Sequence, residues 1–203
     1  MVQITLADFM DFVCKNGPSK LTKVRRLKTR PPYRPNFDYY RPLREGIVRA
    51  HRDDASRLEL ANALNDVLAN IEESRVQLEL ARVAEGYRTW IGRKHLSWFE
   101  PPRATWTAFD ANIVVNPDLG LVIDGTPHVI KMWFKHEPLE KRVLDVVLRL
   151  MEEALDDQAP PGTEFGILDV RRARLFTPTV EVPAAGAQLH SEVAYLSAAW
   201  GGL

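Results

Sequence analysis

The sequence predicts an α+β protein in which a mixed sheet, built around a central β-hairpin meander, is flanked by helices. Two observations carry this prediction. Apolar residues recur at helical spacing through residues 55–91, and after Pro102 the chain becomes rich in β-branched and aromatic residues. The second stretch contains Asp124-Gly125, a pair that favours a two-residue hairpin turn. Helices therefore precede the strand meander, and a helix, a strand and a final helix follow it.

The first helix is predicted from a capping pattern at the N-terminus. Thr5, with Asp8 three residues later, is typical of a helix start with an acid in the first turn. An Asn-Gly-Pro triplet at 16–18 breaks helices and should end this one. Between the two signals, four apolar residues share one helical face: Leu6, Phe9, Met10 and Val13.

A basic arm is predicted to follow this helix. Residues 29–42 contain four prolines, and because proline lacks an N–H and biases its predecessor toward extended geometry, we expect an extended connector. A short helix should occupy about 42–52, with three apolar residues inward: Leu43, Ile47 and Ala50. The 203 residues thus divide into an N-terminal helix with a basic, proline-rich arm at 1–54 and an α/β core domain at 55–203.

Two apolar stripes at helical spacing lie within residues 55–91. The first consists of Leu60, Leu64, Val67, Leu68 and Ile71. The second consists of Val76, Leu80, Val83, Tyr87 and Ile91. Because the step from one stripe to the other breaks the helical period, we expect a kink, or two separate helices, near residues 70–74.

The C-terminal third of the chain is predicted to contain two helices around a strand. Pro138 suits the first turn of a helix whose buried face would comprise Leu139, Val143, Val146, Val147, Leu150, Met151 and Ala154. Residues 164–176 fit one strand, or a small hairpin turning at the arginines. Those arginines, Arg171, Arg172 and Arg174, indicate a solvated turn or a second phosphate contact. A final helix is expected over about 187–199.

Charge is divided unevenly along the chain. The 27 basic and 27 acidic residues cancel, yet residues 15–52 hold twelve basic residues and two acids, whereas residues 53–203 carry a net charge of −8. The basic segment either contacts a polyanion through phosphate pairing or folds back onto the acidic remainder of the chain. Aromatic residues interleave with its arginines, and because rings stack on bases we favour nucleic acid as the partner. The candidate nucleic-acid-binding residues are Lys23, Arg25, Arg26, Lys28, Arg30 and Arg34.

The hairpin turn sets a strand register that brings Asp118 beside Lys131. A two-residue turn pairs Ile123 with Thr126, and continued pairing places Asp118 opposite Lys131. One face of the hairpin is nearly all apolar and should pack on the helices. Unless Pro117 marks a bulge, the other face gathers Asp110, Asn112, Asn116, Asp118, Lys131 and Lys135. This polar face is either solvated or forms a cleft in which a carboxylate and a lysine act together.

These residues resemble the PD-(D/E)xK nuclease superfamily. The resemblance rests on Asn116-Pro117-Asp118 and Val129-Ile130-Lys131, on two strands joined by a tight turn and flanked by helices, and it covers residues 56–176 in the order of elements. It implies a restriction-endonuclease-like core that hydrolyses phosphodiester bonds with Mg²⁺. It also implies that Asp118 binds the metal and that Lys131 assists the attacking water, which makes these two the candidate catalytic residues.

The sequence departs from the family at one position. In the family an acid two residues before the lysine also binds the metal, and Val129 occupies that position here. Asp110 from the same sheet face is a candidate second metal ligand, and Glu79 or Glu85 from the preceding helix are alternatives. The expected function is therefore that of a nucleic-acid-associated protein, either a Mg²⁺-dependent nuclease (a hydrolase) or a DNA-binding relative that does not cut.

Motifs of other enzyme classes are absent from the sequence. The five histidines include no pair at i,i+4 spacing, and a single cysteine, Cys14, allows neither an internal disulfide nor a cysteine-based metal site. Without a Gly-x-Gly-x-x-Gly or P-loop motif, no organic cofactor is implied. The N-terminus has acids where a signal peptide needs a basic start, and no apolar run approaches the roughly 18 residues of a membrane span. We therefore expect a cytoplasmic protein without membrane contact.

A non-enzymatic protein-interaction module is the alternative function. Five tryptophans are many for this length, and Trp98-Phe99 and the segment around Trp200 are candidate interface anchors. The acidic body could receive a basic arm from a neighbouring chain, either in a homodimer or in a larger complex. Salt dependence separates the two functions, because phosphate contacts weaken steeply with salt whereas a packed apolar interface barely responds.

Overall fold

The computed structural model describes residues 1–31, 38–71, 73–178 and 184–203, which form eight strands and seven α-helices. The elements of the first half are β1 (Val2–Thr5), α1 (Leu6–Val13), α2 (Pro18–Lys28), α3 (Arg41–Arg52), α4 (Arg57–Ala69) and α5 (Ser74–Ile91). The elements of the second half are β2 (Leu96–Phe99), β3 (Ala104–Ala108), β4 (Ala111–Val115), β5 (Leu119–Ile123), β6 (Thr126–Trp133), α6 (Lys141–Leu155), β7 (Glu164–Asp169), β8 (Arg174–Phe176) and α7 (Ala185–Gly202).

The strands form two mixed sheets. In the smaller sheet, β4 lies between β1, which is parallel to it, and β3, which is antiparallel. The larger sheet has the order β2-β5-β6-β7-β8, and its neighbours are antiparallel except β6 and β7, which are parallel and connected through α6. The predicted α+β class, with a mixed sheet and a central hairpin, is confirmed. The existence of a second sheet was not predicted.

The β5–β6 hairpin has the predicted register. Ile123 pairs with Thr126, and Leu119 pairs with Ile130. The two turn residues, Asp124 and Gly125, have positive φ values of 49° and 96°, as a type I′ turn requires. The turn chemistry of two residues therefore fixes which side chains of β5 and β6 share a face.

The five-stranded sheet lies between two apolar clusters. Helices α3, α4 and α5 cover one face, where they pack against Leu121, Ile130 and Leu168. Helices α1, α2, α6 and α7 and the smaller sheet pack on the other side, in a cluster that includes Val129 and Ile167. Neighbouring residues of β6 thus enter opposite clusters, as the period of two in a strand requires.

The N-terminal residues contribute to one of these clusters. The predicted start of α1 is confirmed, because Thr5 Oγ1 accepts the Asp8 N–H and the Asp8 carboxylate accepts the Thr5 N–H. Strand β1 and helix α2 were not predicted. Pro18 occupies the first turn of α2, and Val24 and Leu27 are buried beneath it. Part of the predicted basic arm is therefore a helix packed on the body.

Most remaining boundaries agree with the sequence. The helix expected at about 42–52 is α3, and the long helical stretch divides into α4 and α5 at the expected break. Helix α6 begins at Lys141 instead of Pro138, with Glu140 as its N-cap. Residues 164–176 form the small hairpin that was one of the two predictions for this stretch, with β7 and β8 as its strands. Helix α7 extends beyond the expected 187–199 at both ends. Of the predicted extended connector, residues 32–37 lie outside the described residues.

Within the described ranges, none of the helices combines the length and the apolar composition needed to cross a bilayer.

Candidate functional site

A cleft of about 170 Å³ opens beside the C-terminal end of β6. Helix α1 forms one wall, and the residues around the start of α3 form another. Six charged residues among those that the structure describes line the cleft, three acids and three bases: Asp11, Asp38, Arg44, Asp118, Lys131 and Lys135. It contains the polar pair that the hairpin register predicted.

Asp118 and Lys131 form a shielded ion pair in this cleft. Lys131 Nζ donates to Asp118 Oδ1 at 3.1 Å and to the Asn116 carbonyl oxygen at 3.0 Å. The two side chains are only 9% and 7% exposed. Because little water reaches them, the attraction is stronger than that of a surface pair, and loss of either partner would leave a buried charge without compensation.

The second oxygen of Asp118 is bonded to the backbone of β6. Strand β5 begins at Leu119, so β6 extends past the start of its neighbour. At that point Asp118 Oδ2 accepts the N–H of Met132 at 2.8 Å. The carboxylate thus takes the place of a backbone carbonyl that a longer β5 would have supplied, which satisfies an otherwise orphaned strand donor.

The other charges of the cleft are also paired. Arg44 lies 2.7 Å from Asp38, and its Nε is 3.9 Å from Asp118 Oδ1. Asp11 accepts hydrogen bonds from Lys135 and from Lys23 of α2. The described residues of the cleft therefore form a network of alternating charges in which acids and bases balance, so they do not by themselves favour a ligand of either sign.

Asp110 and Asn112 do not share this face, contrary to the expectation from strand alternation. Pro117 lies between β4 and β5, and these strands enter different sheets, so the alternation does not continue through it. Asp110 lies in the β3–β4 turn, where its carbonyl oxygen accepts the Val2 N–H at 2.9 Å. It is not among the residues that line the cleft.

The alternative acids are engaged elsewhere. Glu79 accepts a hydrogen bond from Arg171 at 3.1 Å, which lowers the pKa of the Glu79 carboxyl. Glu85 lies 3.7 Å from Arg88, and Val129 is fully buried in the core. Within the described ranges, no three histidine, cysteine or acidic side chains are grouped so that they could hold a metal.

The donor set around Asp118 does not fit the two-carboxylate Mg²⁺ site that the resemblance implies. A hard cation needs several free oxygen ligands. Both Asp118 oxygens already accept protein donors, and one of those donors is an ammonium group that would repel a metal ion. The neighbouring acids of the cleft, Asp11 and Asp38, are held by their own basic partners.

Three of the predicted nucleic-acid contacts are bonded within the protein. Arg30 makes a two-point contact with Asp8, at 2.8 and 3.1 Å. Lys23 pairs with Asp11 at 3.1 Å. Lys28 donates to a backbone carbonyl near the end of α7 at 2.8 Å. Part of the basic segment therefore folds back onto the chain's own acids and carbonyls. The sequence allowed this interpretation as the alternative to contact with a polyanion.

The remaining candidates have different surroundings. Arg25 and Arg26 are exposed neighbours in the last turns of α2, and neither makes a side-chain ion pair with a described residue. Arg34 lies outside the described residues. The exposed arginines of α2 are thus the predicted contacts that remain accessible to a phosphate.

Arg171 organises the wall beside the cleft, although sequence reasoning did not single it out from its neighbours. Its guanidinium donates to the Phe134 carbonyl at 2.6 Å, to Glu79 at 3.1 Å and to the Tyr40 hydroxyl at 3.3 Å. The Tyr40 ring stacks on Phe134, with centroids 5.4 Å apart. Arg171 is therefore a largely shielded structural contact, whereas Arg172 and Arg174 are exposed. The Arg-Arg-x-Arg run in the sequence is the signal that pointed to this turn.

A partly buried histidine and a buried tyrosine form a pair between α3 and α5. His51 Nε2 and Tyr87 Oη share a hydrogen bond of 2.6 Å. Burial lowers the pKa of His51 to about 4 and raises that of Tyr87 well above its usual value. In a separate place, burial and the nearby Asp11 raise the pKa of the Cys14 thiol to about 11, so the thiol stays protonated and is a poor nucleophile.

Comparison of the sequence with protein-family models and with curated proteins finds no match.

Proposed function

We propose that this chain is a nucleic-acid-associated protein with a nuclease-like fold that binds its partner without hydrolysing it. The observation that carries the proposal is the engagement of the Asp118 carboxylate. Its two oxygens accept the Lys131 ammonium at 3.1 Å and the Met132 N–H at 2.8 Å. With Val129 at the position of the second acid, the residues that would be catalytic in a nuclease hold the end of the hairpin together instead.

The order of elements supports the nuclease-like part of the proposal. Helix α5 precedes the antiparallel strands β2, β5 and β6, and α6 connects β6 to the parallel strand β7. Asp118 immediately precedes β5 and Lys131 lies in β6, on adjacent strands with helices before and after. This is the arrangement on which the resemblance to the PD-(D/E)xK superfamily rests. Because one fold can carry many functions, the site and not the fold favours binding over cleavage.

Arg25 and Arg26 are the residues we assign to phosphate contact. They are exposed and adjacent on α2, and a guanidinium can bind a phosphate through two parallel hydrogen bonds. Lys23 and Arg30 contribute less, because turning toward a phosphate would leave Asp11 and Asp8 without their partners.

A protein-interaction module is the second candidate function, and the folding back of the basic segment favours it. Lys20 pairs with Glu192, and Arg30 pairs with Asp8, so basic charge is neutralised within the chain. A protein with this internal compensation would bind a polyanion weakly. Salt dependence separates the two candidates, since phosphate binding weakens with salt in proportion to the number of contacts.

The test is binding of a labelled DNA duplex and a labelled single strand across a salt series. The proposal predicts salt-sensitive binding, and Arg25→Ala/Arg26→Ala should reduce the slope of log affinity against log salt by about 2 in magnitude. Arg93→Ala is the matched control, because Arg93 is an exposed arginine that follows α5, whereas α2 packs in the opposite cluster. Absent or salt-insensitive binding would overturn the proposal and favour the interaction module.

A further inference from the structure

We propose that β3 is the interface through which two copies of this chain associate. In this dimer, the free edge of β3 pairs antiparallel with the partner's β3 about a two-fold axis at Trp106. The two smaller sheets then join into one continuous sheet. The inference is independent of nucleic-acid binding, and it rests on the accessibility of the edge, the sequence of the strand and the state of Phe109.

Strand β3 is an edge strand without the usual protection. Its strand neighbour is β4, and within the described part of the chain no backbone hydrogen bond is made on the opposite edge. Proteins commonly guard such edges with charges, prolines or bulges, because exposed strand edges recruit other strands. The segment Ala104–Ala108 contains no charged residue and no proline, and Thr105, Trp106 and Thr107 all favour strands.

The sequence of β3 is self-complementary under a two-fold axis. Residues 104–108 read Ala-Thr-Trp-Thr-Ala, which is the same in both directions. Antiparallel pairing centred on Trp106 therefore places Thr105 opposite the partner's Thr107, and Ala104 opposite the partner's Ala108. Opposed threonines are a favourable cross-strand pair, and the two-fold axis of an isologous interface makes that pair twice.

The two faces of β3 differ in how far they are covered. Trp106 faces inward, where its indole donates to Glu153 at 3.1 Å and its ring stacks on His190. Thr105 and Thr107 face solvent. A partner strand would thus meet an edge whose apolar side is already packed and whose polar side is uncovered.

Phe109 supplies the third observation. It is 53% exposed, and it has a φ of 49°, which a bulky side chain rarely adopts. The positive φ belongs to the two-residue turn between β3 and β4, and the ring makes an edge-on contact with His190 at a centroid distance of 6.0 Å that leaves the rest of its surface uncovered. In the proposed register, Phe109 stands opposite the partner's Arg103, and an arginine beside an aromatic ring is a favourable cation–π pair. The symmetric contact would cover the part of this ring that is exposed in a single chain.

Sedimentation velocity of the full chain over a dilution series tests the proposal through two charge variants. Wild type is expected to dimerise. Thr105→Lys/Thr107→Lys places lysines opposite each other twice, and it should weaken the dissociation constant by at least about tenfold. Thr105→Lys/Thr107→Glu places opposite charges together twice and should restore the dimer. Both positions are exposed, so circular dichroism and Tm should confirm that every variant folds.

The paired variants make the register itself falsifiable. Only pairing centred on Trp106 makes position 105 face position 107 of the partner, so rescue by the second variant is specific to this geometry. Any one of three results would overturn the proposal. The first is a wild type that stays monomeric throughout, and the second is a lysine–lysine variant that remains dimeric. The third is a lysine–glutamate variant that dimerises no more tightly than the lysine–lysine variant. Phe109→Gly should weaken the dimer because it removes the ring that faces the partner's Arg103. The monomer should still fold, since glycine adopts the positive φ of this turn without strain.

Discussion

The carboxylate of Asp118 accepts the backbone N–H of Met132 at 2.8 Å, at a point where β6 has passed the start of β5. The same carboxylate holds the buried Lys131 ammonium at 3.1 Å. One side chain therefore completes a strand edge and neutralises a buried charge. This double role explains why an aspartate and a lysine stand on adjacent strands without requiring catalysis.

The Asp118–Lys131 pair should be important for stability. Asp118→Ala removes the partner of a buried lysine and the acceptor of a strand N–H, so the free energy of unfolding should fall by about 3 kcal/mol. Asp157→Ala, at an exposed acid, should change it by less than about 0.5 kcal/mol. Denaturant unfolding of each variant would measure both changes in the free energy of unfolding.

A second substitution checks the cause of that loss. In the Asp118→Ala background, Lys131→Met removes the uncompensated charge and should restore part of the lost stability, because a well-packed apolar side chain avoids the desolvation penalty. If Asp118→Ala costs no more than Asp157→Ala, the pair has no structural role.

The pair of His51 and Tyr87 should make stability depend on pH. Burial lowers the pKa of His51 to about 4 from its ordinary 6.5, so the unfolded chain binds a proton more readily than the folded chain between these values. Stability should therefore fall by about 2 to 3 kcal/mol as pH drops from 6.5 to 4.

Two variants test whether His51 causes this pH dependence of stability. His51→Gln should flatten the pH dependence over this window, whereas His95→Gln, at an exposed histidine, should leave it unchanged. Urea unfolding at a series of pH values provides the comparison. Equal pH dependence in wild type and His51→Gln would show that His51 is not the titrating group.

The close approach of α5 to the β7–β8 turn requires glycine at position 86. A Cβ on Gly86 would lie 2.1 Å from the carbonyl oxygen of Val170, a backbone atom that cannot move aside cheaply. Gly86→Ala should lower the free energy of unfolding by at least about 2 kcal/mol, despite the better helix propensity of alanine.

Gly201→Ala is the natural comparison for that variant. Gly201 is also helical, but a Cβ there would meet no atom within 4 Å. This substitution should be neutral or slightly stabilising in thermal unfolding. A Tm for Gly86→Ala equal to that of wild type would show that α5 does not pack as closely as described.

Local chemistry explains which parts of the fold the sequence could predict. The Asp124-Gly125 turn determines the hairpin register, and the register determines that Asp118 lies beside Lys131. The Thr5 cap was predictable for the same reason, since its partners are only three residues apart.

Contacts between distant residues account for what the sequence missed. Strand β1 has four residues and pairs with β4 more than 100 positions later, and no local sequence pattern predicts this pairing. Strand alternation predicts the wrong face for Asp110, because the chain passes from one sheet to the other at Pro117. The bonds of Arg171 to Glu79 and Tyr40 span 92 and 131 positions.

A cleavage assay tests whether Asp118 and Lys131 stabilise the fold, as we propose, or hydrolyse phosphodiesters. Labelled duplex and single-stranded DNA would be incubated with wild type and with Asp118→Asn, in Mg²⁺, in Mn²⁺ and in chelator. We predict no metal-dependent cleavage by either protein, together with a lower unfolding free energy for the variant. Metal-dependent cleavage by wild type that disappears in a folded Asp118→Asn would contradict the claim.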